Sequence, residues 1–425
     1  MIYYGLLLFF ILEYVRPGTY FSPINILRLN TIVPLVVVLG SLFTKGDREK
    51  PSLMGEMNTK VILFLLGMIA FTVLWAEVTM YAFTVFTTVL GYALVYWVLS
   101  RELLTVAKVK GVFFILILVH LILAALTPEM FLDPGERHYI ASATFLGDGN
   151  DYALSVDIVI PLCLFLLLET RKLIAKAMFG GMLAILICAV VLSQSRGGTM
   201  ALVAMGLYYW LKSDKKAVTG GLAAVAVVGV LVLAPSTYFE RMNKIQDYDS
   251  DGSAQGRIHA WQAGTRMAMY NPLGVGAGQF PANYTRYTLY ADETRWKTAH
   301  SIYFLILGEL GFLGLITLLF FLGYNLVANG RLMREVKRRP PTEETVTEAR
   351  LLASLSAGVL AYAIAGAFLS ATYYPHMWVL GGLCVAGRRI VREGGGRASQ
   401  VPATAASAPL YHPAIRAVLG DKRAS

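Results

Sequence analysis

Apolar residues in this chain come in uninterrupted blocks of about 18 to 25, the length that crosses roughly 30 Å of hydrocarbon. Such blocks dictate an all-α integral membrane protein. About twelve transmembrane helices are expected, at approximately 2–15, 25–44, 60–76, 80–100, 110–126, 152–169, 174–194, 197–212, 217–234, 300–329, 350–371 and 375–388. Composition agrees: 56% of residues are hydrophobic and 15% charged, whereas a soluble domain is about half apolar and a quarter charged. The first apolar stretch, Tyr3 to Val15, has no basic lead and no small-residue cleavage site, so it reads as a retained helix.

The net charge of +10 has a topological explanation. With the N-terminus in the cytoplasm, most of the basic residues fall on the inner side. They include Lys45, Arg48 and Lys50, then Lys108 and Lys110, then Arg171 and Lys172, the run from Arg331 to Arg350, and the tail. Outer loops that are short carry almost none, as the positive-inside bias requires. A nucleic-acid partner is not needed. Cys163, Cys188 and Cys384 lie inside apolar segments without metal-ligand spacing, so neither zinc nor a disulfide is expected.

Residues 1–391 are expected to form one polytopic membrane domain, and residues 392–425 a flexible basic cytoplasmic tail. Two periplasmic loops are long, at about 127–150 and 235–299. The second contains Trp261 and Trp296, reads as helical from Ala260 to Tyr270, and turns at Pro272, Gly274, Gly276 and Gly278. The inner loop from Gly330 to Glu348, with Pro340 and Pro341, reads as a solvated connector, and no internal repeat is evident.

Three residues on the outer face stand out. Arg196 sits in Ser193-Gln194-Ser195-Arg196-Gly197-Gly198, a reversal between two helix ends where an Arg and free N–H groups make an anion cradle. Anchoring a hairpin to lipid headgroups would use the same residue. Arg257, in Gly252-Ser253-Ala254-Gln255-Gly256-Arg257, is placed in the first turn of a helix among free N–H groups, alongside Arg241, Arg266, Arg286 and Arg295 in the same loop. His300 is placed at the outer end of the long tenth helix, where a neutral imidazole can act as a base or an aromatic can anchor at the interface. His138, His259 and His376 compete with it, while His120 reads as a helix–helix contact.

Glu13, Asp157 and Glu309 fall inside apolar segments, where carboxylates are costly and mark candidate sites. Glu309 lies roughly 13.5 Å below His300 on the opposite helix face, so it reads as a structural partner within the bundle. Asp148 reads as a helix cap. No nucleotide-binding glycine loop or His/Cys ligand cluster is present. An arginine-rich outer face suits a membrane-held diphosphate better than a metal-bound nucleotide-sugar.

The order "SRGG" at a helix junction, then "GRIHAWQAGTRMAMYNPLGVGAGQF", then "AHSIYFLILGELGFLGL", resembles the O-antigen ligase and polymerase superfamily over about Ser193 to Leu315. "GDGNDYALSVDIVIPL" looks like its ligase-like subgroup. The resemblance implies a GT-C-like membrane fold with a large helical periplasmic loop before the last three helices. It also implies an inverting glycosyltransferase that needs no metal or other cofactor. The donor would be a glycan on undecaprenyl diphosphate and the acceptor lipid A–core, at the periplasmic side of the bacterial inner membrane. By motif match His300 would be the general base, and Arg196 and Arg257 would bind the donor diphosphate. The family histidine is commonly followed by Asn or Ser, and Ser301 stands here. A polymerase or a protein O-oligosaccharyltransferase of the same superfamily is the alternative. A transporter or flippase is the reading from another class.

Overall fold

The computed structural model describes residues 1–43, 52–133, 140, 145–221, 224, 229, 239, 252–290 and 297–400. Those residues form helices α1 (Ile2–Tyr14), α2 (Leu29–Phe43), α3 (Met57–Thr72), α4 (Thr79–Glu102), α5 (Val106–Ala125), the short α6 (Glu129–Leu132) and α7 (Gly149–Glu169). They continue with α8 (Leu173–Leu192), α9 (Arg196–Lys212), α10 (Gly252–Tyr270), α11 (Phe280–Tyr287), α12 (Ile302–Lys337), α13 (Glu343–Gly366) and α14 (Pro375–Gln400). No strand occurs among the described residues. Helices α4, α5, α7, α8, α12 and α13 are long and apolar enough to cross a membrane. The chain is therefore a multi-pass helical membrane protein.

Two helices form the centre. On α7 every residue from Tyr152 to Cys163 is buried, and α13 packs against α7, α9, α12 and α14. Tyr152, Tyr362 and Trp378 are completely enclosed there. The periphery has the opposite character: Ile174 and Ile185 of α8 and Val203 and Leu207 of α9 are exposed. In a membrane protein these face lipid, so their exposure is not a defect of packing.

The bundle ends differ in chemistry. At one, Glu169 at the end of α7 accepts from Lys110 and Arg350 at 3.1 Å each, and Lys337 meets Asp214 at 3.3 Å. Arg171 and Glu343 pair at the same end. At the other lie the α8–α9 turn, the start of α12 and the α13–α14 connection, which together carry the candidate site.

The expected segments all overlap helix; of 217–234, residues 217–221, 224 and 229 are helical and the others lie outside the described residues. Three boundaries differ for physical reasons. The second helix starts at Leu29, because Ser22–Leu27 is a 3-10 turn with Pro23 as its second residue. The connector expected over Gly330 to Glu348 shrinks to 338–342, since Arg331 to Lys337 are good helix formers and only Pro340 and Pro341 halt the chain. Similarly, α14 continues through Arg392 to Gln400, while residues 401–425 of the expected tail lie outside the described residues.

Candidate active site

The arginine turn is built by local hydrogen bonds. Helix α8 ends at Leu192, where the Ser193 hydroxyl donates to the Val190 carbonyl at 2.6 Å. Ser195 caps α9 by accepting the Gly198 N–H at 3.2 Å. The left-handed residue of the reversal is Gln194, at φ 53, and not a glycine. Gly197 and Gly198 serve close packing instead. A Cβ at Gly198 would stand 3.0 Å from Ala153 Cβ and from Val190 Cγ1, and one at Gly197 would stand 3.2 Å from the Phe368 ring. The first turn of α9 is thus wedged between α7, α8 and the residues that follow α13. Arg196, half-buried, begins that turn.

His300 stands just before α12, whose N-cap is Ser301. It is exposed, and its backbone is left-handed at φ 47. That conformation is uncommon outside glycine, and a retained outlier of this kind is a pointer to function. The conformation is held from outside. The His300 N–H donates to the Ser370 hydroxyl at 2.8 Å, and the Thr298 hydroxyl donates to the same oxygen at 2.7 Å. Thr372 donates to the Ile302 carbonyl at 3.2 Å. Phe368 packs at Gly197 and Ser370 holds the His300 backbone, so one short connection reaches both the arginine turn and the histidine.

The third element is α10. Trp261 stacks on Phe304 of α12 with ring centroids 5.0 Å apart, and its indole N–H donates to the Ala299 carbonyl at 3.1 Å. Gly264 lets α10 approach closely: a Cβ there would stand 2.9 Å from the Phe304 carbonyl oxygen. Arg257 lies four residues before Trp261, so it follows on the same helix face one turn along. Because α10 begins at Gly252, Arg257 occupies its second turn, one later than the glycine-rich lead suggests.

Beneath these groups Glu309 organises the connection from α10 to α11. Its carboxylate accepts the N–H of Gly278 at 2.7 Å, the N–H of Phe280 at 2.8 Å and the Tyr373 hydroxyl at 2.6 Å. Burial, reinforced by the Glu309 carboxylate, pushes the Tyr373 phenol well above its ordinary range and keeps it a donor. Helix α12 breaks at Gly311, φ 67, against the Pro272 carbonyl. The carbonyls of Gly308 and Glu309, released by that break, accept from Val275 and Gly276 at 3.0 and 2.9 Å. On the far side Trp75 donates to the Gly274 carbonyl at 3.1 Å. Glu309 is therefore the structural partner its sequence position suggested, fastened to the outer connections and not to His300.

The other candidates fall elsewhere. The His259 ring stacks on Tyr290 at 3.4 Å between centroids. His120 and His376 are buried and share the Ser155 hydroxyl at 2.6 and 2.8 Å, a packing role within the bundle. His138 lies outside the described residues. Glu13 accepts from Tyr92 at 2.7 Å, and Asp148 caps α7 by accepting the Asn150 N–H at 2.7 Å. Asp157 is completely buried beside Gly198, with no hydrogen-bond partner among the described residues. The three cysteines are free thiols, and among the described residues no group of three His, Cys, Asp or Glu side chains converges on one point.

Two residues that sequence reasoning missed belong to this end of the bundle. Ser370 gives no motif signal, since only the fold brings it to His300. Lys297 lies three residues before His300, with its ammonium 5.7 Å from the Tyr284 ring centroid. Its closeness to the histidine in sequence was the available clue.

A family model described as O-antigen ligase matches residues 181–319. Over that stretch the chain is similar to the O-antigen ligase and polymerase superfamily. Arg196, Arg257 and His300 all fall inside the matched residues. No curated protein matches the chain.

Proposed function

We propose that the chain is an O-antigen ligase, transferring a glycan from undecaprenyl diphosphate to lipid A–core at the periplasmic face of the bacterial inner membrane. The observation that carries this reading is the convergence of Arg196 and His300 on one connection, with Phe368 against the arginine turn and Ser370 on the histidine backbone. Arg257 joins them through the Trp261–Ala299 hydrogen bond.

Chemically, the diphosphate is already a good leaving group, so the main requirement is to neutralise charge as it departs. Arg196 and Arg257 supply that through charge-assisted hydrogen bonds. His300, in its neutral form, takes the proton of the acceptor hydroxyl as its oxygen attacks the anomeric carbon, and the configuration inverts. Holding donor and acceptor lipids at one membrane-side cleft adds the advantage of orientation. No metal is required in this scheme, because the arginines take the part a cation would play.

The orientation follows the charge. The bundle end bearing Lys110, Arg171, Lys337 and Arg350 faces the cytoplasm under the positive-inside bias, with both termini on that side and about twelve crossings in all. The candidate site then lies at the periplasmic end.

The test is transfer by purified protein in detergent or nanodiscs, with undecaprenyl-diphosphate glycan, lipid A–core and EDTA. Labelled lipid A–core carrying one glycan supports the ligase. A ladder of glycan lengths made from donor alone assigns a polymerase, and labelled protein assigns an O-oligosaccharyltransferase. Absence of any donor consumption overturns the reading.

A further inference from the structure

Two buried histidines share one hydroxyl, and the sharing fixes where their protons lie. His120 of α5 places Nδ1 2.6 Å from the Leu116 carbonyl oxygen and Nε2 2.6 Å from Ser155 Oγ. His376, the second residue of α14, places Nε2 2.8 Å from the same Oγ. A carbonyl only accepts, so His120 carries its proton on Nδ1. Both rings are buried, and among the described residues neither meets a carboxylate, so each is neutral. The lone pair of His120 Nε2 then takes the single Ser155 proton, and Ser155 Oγ accepts from His376 Nε2–H. That leaves His376 Nδ1 a bare acceptor, buried and without a hydrogen-bond partner among the described residues. His376 also lines a cavity of about 10 Å³, about the space one water needs. The other polar side chains of its wall are Tyr14 and Ser155, set among aliphatic groups of α5, α7 and α14. Tyr14 meets the His376 ring edge-on, with centroids 6.3 Å apart.

We propose that this cavity binds one water that donates to His376 Nδ1, and that the completed chain makes His376 a positioning residue for the α13–α14 connection. Ser155 has spent its proton on His120, so the Tyr14 hydroxyl is the donor left in the wall for the water oxygen. The chain then runs from the Leu116 carbonyl through His120, Ser155, His376 and the water to Tyr14. It joins α5, α7, α14 and the end of α1 beneath the outer loops, and it satisfies a buried acceptor that is costly to leave bare. Because His376 lies in the first turn of α14, the chain fixes the point at which the α13–α14 connection ends. Ser370, which holds the His300 backbone, lies in that connection. The positioning role rests on the reading of His300 as the base of glycan transfer; the water site does not.

The test is nitrogen NMR of the full-length wild type in nanodiscs, with isotope-labelled histidine. His120 is expected to be neutral and protonated on Nδ1, and His376 neutral and protonated on Nε2, with a magnetisation-transfer peak between the bare His376 nitrogen and water. Loss of a signal in His120→Asn or in His376→Gln assigns the pair, so one folded variant suffices. A His376 ring protonated on Nδ1, a charged ring, or a bare nitrogen without water contact overturns the proposal. For the positioning role, His376→Phe keeps a ring and removes both hydrogen bonds. It is expected to lower kcat about fivefold with the donor KM unchanged. His376→Gln, whose amide offers a donor and an acceptor, should recover most of that rate. Wild-type kcat in His376→Phe overturns the positioning role. Absence of transfer in the wild type would instead strike at the ligase reading, on which the NMR does not depend.

Discussion

The backbone N–H of His300 donates to the hydroxyl of Ser370 at 2.8 Å, across 70 residues of chain. This bond secures a left-handed histidine at the mouth of α12, and the same serine accepts from Thr298. Ser370 therefore sets where the imidazole stands without contributing to proton transfer. Ser370→Ala is expected to lower kcat about fivefold while leaving the donor KM nearly unchanged, since a bond of this kind is worth about 1 kcal/mol. Ser370→Thr keeps the hydroxyl and should recover most of the rate. A Ser370→Ala enzyme with wild-type kcat would show that the histidine is held by other means.

The two arginines are expected to resist conservative replacement. Arg196→Lys and Arg257→Lys keep the charge but lose the planar fork, so each should leave transfer well below wild type and not far above the alanine variant. Steady-state rates with saturating acceptor measure this. Full activity in Arg196→Ala or Arg257→Ala would remove that residue from the site.

Glu309 is expected to be a stability residue. Both carboxylate oxygens accept, one from Phe280 and the other from Gly278 and Tyr373. Glu309→Gln turns one of them into an amide that must face a donor, leaving buried groups unpaired at a cost of about 1–3 kcal/mol. The thermal midpoint should fall and protease cleavage within residues 271–290 should rise. An unchanged midpoint would contradict the role assigned to this carboxylate.

Gly198 is expected to tolerate nothing branched. A Cβ there already meets Ala153, Val190 and Asp157 within 3.3 Å, so Gly198→Val must push α9 away from α7. Because Arg196 opens the same turn, transfer should be lost together with stability. Gly206, farther along α9 with nothing near its missing Cβ, should accept alanine without effect on either.

How much of this was legible in sequence depended on range. Hydrophobic block length found α4, α5, α7 and α8 to within a few residues, because a span's length is set by the bilayer and local composition reports it directly. Local spacing likewise located the helix from Ala260 to Tyr270 and the cap at Asp148. Helix ends beyond the lipid were less visible: α12 and α14 continue into polar sequence, where helix propensity and not hydropathy decides. The glycines of "SRGG" signalled a special site, but their purpose is the closeness of Phe368 and Ala153, residues far away in sequence. Ser370 was invisible as the histidine's neighbour for the same reason. Only the pairing of α13 with α9 and α12 brings such groups to one place.

The most direct measurement is the initial rate of glycan transfer to lipid A–core by wild type and His300→Asn, both purified, with EDTA present. Asparagine adopts the left-handed backbone readily, so this variant preserves the turn and removes only the base. The account predicts an unaltered thermal midpoint, near-normal donor binding, and a rate lower by about 10²–10⁴, the usual contribution of a general base. A His300→Asn enzyme that transfers glycan at the wild-type rate would contradict the assignment of His300 as the base.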